Sequence, residues 1–178
     1  MLEVLSFGVP TDAEKLKDLI ERELRGVRDE RVVGLIRGLL VEPKLVLRGW
    51  DYGQPNEQYP CWDVLDDSAG SDTGIAFCEH GFGPRCPWGL VGMSETEGQP
   101  SSIGMDSGWF PTFMEAFFDS FAAAALPIWR VFSMDSGAPG KALTDELSWA
   151  DAWKRCEDAR NSAPGSHFMV RDTITSRA

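Results

Sequence analysis

Residues 75–91 read IAFCEHGFGPRCPWGLV. Two apolar runs, Ile75–Cys78 and Trp88–Val91, flank a centre that holds His80, Arg85, Cys86 and a Gly-Phe-Gly-Pro turn. Short β-branched or aromatic runs on either side of a Gly/Pro cluster are the pattern of paired antiparallel strands. Gly81 and Gly83 permit positive φ while Pro84 and Pro87 fix their own, so the connection is a stiff loop. The same pattern extends outward. KLVLRGWDYG (44–53), YPCWDVLDD (59–67), TGIAFCEH (73–80) and WGLVGMS (88–94) are separated by Gly, Pro, Asn and Asp clusters. They predict an antiparallel meander, to which SSIGMDS (101–107) adds a short strand.

On the N-terminal side the period changes to that of helices. Thr11–Val27 predicts a helix capped by Thr11 or Asp12, with Glu14 completing a capping box and Leu16, Leu19, Ile20 and Leu24 on one face. A second helix is predicted from Asp29 to Val41, with Val32, Val33, Ile36, Leu39 and Leu40 apolar and Pro43 stopping it. Gly34 and Gly38 form a small-xxx-small pair there, which implies close helix packing.

C-terminal to the meander, Phe113–Ala125 predicts a helix with Pro111 near its first turn. Phe113, Phe117, Phe121 and Ala124 fall on one face, as a core stripe does. PIWRVFSM (127–134) predicts a strand. TDELSWADAWKRCEDARN (144–161) predicts a helix capped by Thr144, with Leu147, Ala150 and Trp153 facing inward. The tail 163–178 is expected to be loose. The fold class is therefore α+β, with N-terminal helices, a central antiparallel sheet and helices packed on one face, in a single domain spanning 1–178.

A chain of 178 residues is long enough to bury a core without disulfides or metals. No apolar run approaches the ~20 residues of a membrane span. The N-terminal MLEVLSFGVPTDAEK has no basic stretch followed by an apolar one, so no signal peptide is expected and the cytoplasm is the expected location. Four cysteines in such a chain are expected to be thiols instead of a disulfide framework. No cofactor is implied.

Charge is informative through its placement. The net charge is −11, and Gly49–Leu126 carries twelve acids (Asp51, Glu57, Asp63, Asp66, Asp67, Asp72, Glu79, Glu95, Glu97, Asp106, Glu115 and Asp119) against Arg85 alone. The flanking segments balance. A general need for solubility does not confine an imbalance to one segment, whereas steering of a basic partner needs a field of one sign. Nucleic acid is not expected as a partner, because its phosphates would be repelled.

The meander loops hold four candidate chemistries. Cys61, Cys78, His80 and Cys86 are the residue types of a Cys₃His zinc site, but the pair is C-x-H where zinc knuckles offer C-x₂₋₄-C. A cysteine of the Cys78/His80/Cys86 loop with His80 as base, and Gly81 and Gly83 supplying N–H groups, would make a small hydrolase or transferase. A carboxylate pair such as Asp63 with Glu79 carries no specificity where acids are this plentiful. Buried cysteines acting as small hydrophobes are the preferred expectation. The fourth chemistry is recognition: Phe82, Arg85 and Trp88 at the loop tip are types enriched at protein contacts. Together with Asp51, Glu57, Asp63, Asp66, Asp67, Asp72 and Glu79 they form the expected partner-binding set. Trp50, Tyr52, Tyr59 and Trp62 surround the acidic loop beside them.

The segments WDYG (50–53), YPCW (59–62), TGIAFCEHGFGP (73–84), PWGLV (87–91) and IGMDSGWFPTFMEAF (103–117) resemble a group of bacterial proteins sharing the GFGP…PWGLV motif. Over Leu45–Ala125 their order also resembles the SUKH superfamily of immunity proteins. That resemblance implies a protein that binds and neutralises a toxin domain, with the acidic sheet and its loops as the toxin-facing side. The expected function is an acidic cytoplasmic antitoxin acting on a basic toxin domain by direct binding. The alternatives are the Cys/His hydrolase or transferase and a zinc-stapled interaction module.

Overall fold

In the computed structural model, residues 12–54, 57–79, 85–96, 99–100, 102–104 and 108–174 are described. The chain runs α1 (Ala13–Leu24), α2 (Glu30–Leu39), β1 (Leu40–Gly49), β2 (Gln58–Asp67), β3 (Thr73–Phe77) and β4 (Trp88–Gly92). Three two-residue strands follow: β5 (Glu95–Thr96), β6 (Gln99–Pro100) and β7 (Trp109–Phe110). Then come α3 (Phe113–Phe118), α4 (Phe121–Ala124), β8 (Trp129–Asp135), β9 (Ala138–Ala142), α5 (Trp149–Ser162) and β10 (Phe168–Asp172).

Five strands form an antiparallel sheet in the order β1-β2-β3-β4-β7. Alternation along β3 explains why it reads as one apolar run. Ile75 and Phe77 enter a large core with Trp88, Phe113 and Phe117, while Ala76 and the following Cys78 enter a smaller one with Cys61, Val91 and Ile103. A strand covered on both faces needs no polar positions. The large core is closed by Leu16, Ile20 and Leu24 of α1 and by Val32 and Ile36 of α2. Asp12 caps α1 by accepting the Lys15 N–H (2.8 Å), and Asp29 caps α2 by accepting that of Arg31 (2.9 Å).

The chain is α+β, and within that class several elements differ from their expected form. The second helix stops at Leu39 and passes directly into β1, because a residue ahead of Pro43 is pushed toward extended backbone. The ladder shifts register between Leu40 and Lys44, around the proline that cannot donate. Gly34 and Gly38 do not mediate close packing: a Cβ at either would meet nothing within 4 Å.

The helix expected over Phe113–Ala125 is broken in two. Ser120 adopts extended backbone, donates its hydroxyl to the Phe117 carbonyl (2.6 Å) and caps α4. The break rotates Phe121 out of the phenylalanine stripe, leaving it 70% exposed. Thr144 does not cap the last helix; its hydroxyl accepts the Val131 N–H (3.1 Å), and Ser148 is the cap. Leu147 bridges to Trp129 ahead of that helix, and the inward residues are Ala152 and Cys156 in place of Ala150 and Trp153.

A second antiparallel sheet, β10-β8-β9, shares the large core through Trp129, Val131, Phe168 and Val170. Its hairpin turns on Ser136 and Gly137, both at positive φ, the geometry that matches strand twist. Residues 168–172, expected in a loose tail, form β10. Phe168 and Val170 supply apolar side chains to the core, and Asp172 is itself buried while accepting the Ile174 N–H (2.9 Å).

Candidate functional site

An antiparallel sheet sends alternate connections to opposite ends. The β1–β2 connection (50–57) and the β3–β4 connection (78–87) share one end, and the β2–β3 turn (68–72) lies at the other. The acids of the segment are divided accordingly. Asp51, Glu57 and Glu79, with the exposed Arg85, belong to the first end; Asp66, Asp67 and Asp72 belong to the second. Strands rise ~3.3 Å per residue, so the length of β2 separates the ends by roughly 30 Å. That exceeds the Debye length of ~8–10 Å at moderate salt several-fold, so the two groups act as separate fields.

At the first end Tyr52 is 67% exposed, with the exposed carboxylates of Asp51 and Glu57 on either side of it in sequence. Asp51 accepts a hydrogen bond from the Ser102 hydroxyl, and its own N–H donates to the Ile103 carbonyl (2.9 Å). Glu57 accepts the Gln54 N–H (3.2 Å) and the Tyr59 hydroxyl, whose pKa this bond raises. Beneath the loop, Trp50 and Tyr59 pack with ring centroids 5.3 Å apart. Both carboxylates are thus oriented while their outer faces stay wet.

At the second end the acids serve the turn. Asp66 accepts the Ser68 N–H (2.8 Å) and Asp67 accepts the Ser71 hydroxyl (2.6 Å). Asp72 is exposed at φ 57°, a left-handed backbone that Asp tolerates better than most residues.

Two members of the expected partner-binding set are not on the surface. Trp88 is 1% exposed, edge-on to Phe77 (4.9 Å) and Phe113 (5.4 Å); its strand register points it into the large core. Asp63 is 5% exposed and receives both Oδ atoms' partners from one guanidinium, that of Arg48, at 3.0 and 2.9 Å. Arg48 also donates to the Gly92 carbonyl (3.3 Å). Burial pushes the Asp63 carboxyl above its ordinary value, against the downward pull of Arg48. This acid offers no field to a partner. Phe82 and His80 lie outside the described residues.

Cys61 and Cys78 are fully buried and their thiols hydrogen-bond to each other; Cys86 is half-buried and Cys156 sits under α5. The bond to Cys78 and burial hold the Cys61 thiol far above the usual range, the reverse of an activated nucleophile. Among the described residues, no three of His, Cys, Asp and Glu gather as a metal ion would require.

Sequence reasoning missed the outward face of α5. Trp149 and Trp153 stack at 5.4 Å and 11°, and the Arg160 guanidinium lies 5.5 Å from the Trp153 ring centre. The spacing i, i+4 was present in the sequence, but large aromatics are expected inward. On the opposite flank of α5 a cleft of about 420 Å³ is lined by Val131, Leu143, Leu147, Asp145 and Arg155. No helix among the described residues is long and apolar enough to cross a membrane. No protein-family model, curated protein or solved structure matches the chain.

Proposed function

We propose that this is a cytoplasmic binding protein that captures a basic protein partner, in the manner of an immunity protein neutralising a toxin domain. The observation that carries the proposal is Tyr52, exposed in the same β1–β2 connection as Asp51 and Glu57, whose carboxylates are oriented by hydrogen bonds. An aromatic anchor gives area at low entropic cost, and fixed carboxylates give direction to a cationic partner without reorganising on contact. The division of charge between two distant ends favours this end as the contact. The turn at the opposite end, 68–72, has acids in and beside it but no aromatic residue to anchor a partner. The resemblance to the SUKH superfamily supports toxin neutralisation as the purpose of that contact.

The test is to look for a basic toxin-like domain encoded by the adjacent gene and to measure association kinetics against it. Tyr52→Ser, and Asp51→Asn with Glu57→Gln, should each weaken binding at least tenfold, the charge variant mainly by slowing association as added salt does. Asp72→Asn at the other end should leave the rate unchanged. Equal effects at both ends, or none at either, would remove the proposal's support.

A further inference from the structure

Cys61 and Cys78 occupy a register position with a chemical consequence. The β2–β3 ladder pairs Trp62 with Phe77, and one further step sets Cys61 opposite Cys78. Cys78 donates its backbone N–H to the Pro87 carbonyl (2.8 Å), on the side away from β2. In an antiparallel pair both backbone groups of a residue point the same way. Toward β2, Cys78 is therefore at a non-hydrogen-bonded position, where facing Cα atoms approach to about 4.5 Å. Disulfides span Cα separations of roughly 4.4–6.8 Å, so a bond between these two needs no movement of the strands. The side chains already point at each other: the thiols hydrogen-bond.

We propose that Cys61 and Cys78 are a convertible dithiol, closed to a cross-strand disulfide by a small-molecule disulfide such as oxidised glutathione. Once this face opens to water and the thiol–thiol hydrogen bond is broken, one cysteine loses its proton and its thiolate attacks the glutathione disulfide, releasing one glutathione and forming a mixed disulfide. The second cysteine displaces the other glutathione. Two protons and two electrons leave the protein, and two glutathione thiols are produced.

Neither sulfur reaches solvent in the resting fold. Ile103 covers this face, held by its N–H to the Gly49 carbonyl (2.8 Å) and by the Asp51 N–H to its own carbonyl (2.9 Å). Trp109 donates its indole N–H to the Gly104 carbonyl (3.2 Å) beside it. Displacement of Ile103 from over the two sulfurs sets the rate at which an oxidant enters. The tie would join β2 to β3 through a loop of modest length and oppose unfolding of that pair.

The experiment uses the full chain carrying Cys86→Ser and Cys156→Ser, treated with oxidised glutathione and followed by intact mass and peptide mapping. The expected product has lost two hydrogens, yields a linked Cys61–Cys78 peptide and reverts with dithiothreitol. Ile103→Ala should form it at least tenfold faster. A parallel sample is refolded from denaturant in the same glutathione buffer, which removes the barrier of access. Thiols that remain reduced, or that carry only glutathione adducts, after refolding would overturn the proposal. A rate in Ile103→Ala equal to that of the parent would overturn the gating by Ile103.

Discussion

Arg48 of β1 and Asp63 of β2 close a two-bond ion pair inside the smaller core, at 3.0 and 2.9 Å. The register pairs Arg48 with Tyr59, so the guanidinium reaches along the sheet to its acid. Asp63→Ala would leave a buried cation without its carboxylate, a loss of about 3–5 kcal/mol. Replacing both, with Arg48→Met and Asp63→Leu, should recover most of it, since the pair's desolvation cost is removed too. Urea denaturation of the single and double variants checks this. A double variant as unstable as Asp63→Ala would mean that the pair itself supplies net stability.

Acid should destabilise the fold through Arg31. Its side-chain hydrogen bonds hold the Asp29 carboxyl below its ordinary value. Burial pushes Glu146 up, but Arg31, Thr173 and Arg130 together bring it below its ordinary value. A lowered carboxylate contributes stability that is present above its unfolded pKa and is lost as pH falls through the folded one. Asp63, raised by burial, acts in the opposite sense, so total stability is a poor readout. The difference between wild type and Arg31→Ala isolates the network. It should be at most about 1 kcal/mol at neutral pH for a half-exposed Arg31. Melting curves should show it shrinking to nothing between about pH 5 and about pH 2. A gap that persists at the acid end would assign the effect of Arg31 to packing.

Gly34 and Gly38 face open space on α2, where glycine costs backbone entropy and offers nothing in return. Gly34→Ala and Gly38→Ala should each stabilise by about 0.5–1 kcal/mol, visible as a raised denaturant midpoint. A loss of stability at either would indicate a packing partner for that face.

Phe117 and Phe121 share a helical stripe in sequence but not in space. Phe117→Ala should cost about 3–5 kcal/mol, as full burial of an aromatic implies. Phe121→Ala should change stability by less than about 0.5 kcal/mol, because that ring is already in water. Similar losses at both sites would require an unbroken helix.

Local pattern carried a large part of the fold. Caps at Asp12 and Asp29, the i, i+4, i+8 stripe of Leu16, Ile20 and Leu24, and the short apolar and aromatic runs of β2, β3 and β4 between turn residues are written in neighbouring residues. These elements answer to short-range hydrogen bonds and to periodicity, so the α+β class followed from them. Where a side chain's partner is distant in sequence, the pattern was silent or misleading. Asp63 looked like one more acid in an acidic segment, and Arg48 stands just outside that segment. Only the β1–β2 pairing brings them together and turns a surface charge into a buried pair. Glu23 of α1 accepts the backbone N–H groups of Phe113 (3.3 Å) and Met114 (2.9 Å) at the start of α3, a cap supplied from ninety residues away. Trp88 and Trp153 have the same residue chemistry, yet one fills the core and the other lies on the surface, according to which face its element turns inward. The acidic excess itself was legible in the sequence. Its division between two ends of a sheet was not, because the ends are set by strand pairing, and only pairing decides which charges lie within a Debye length of one another.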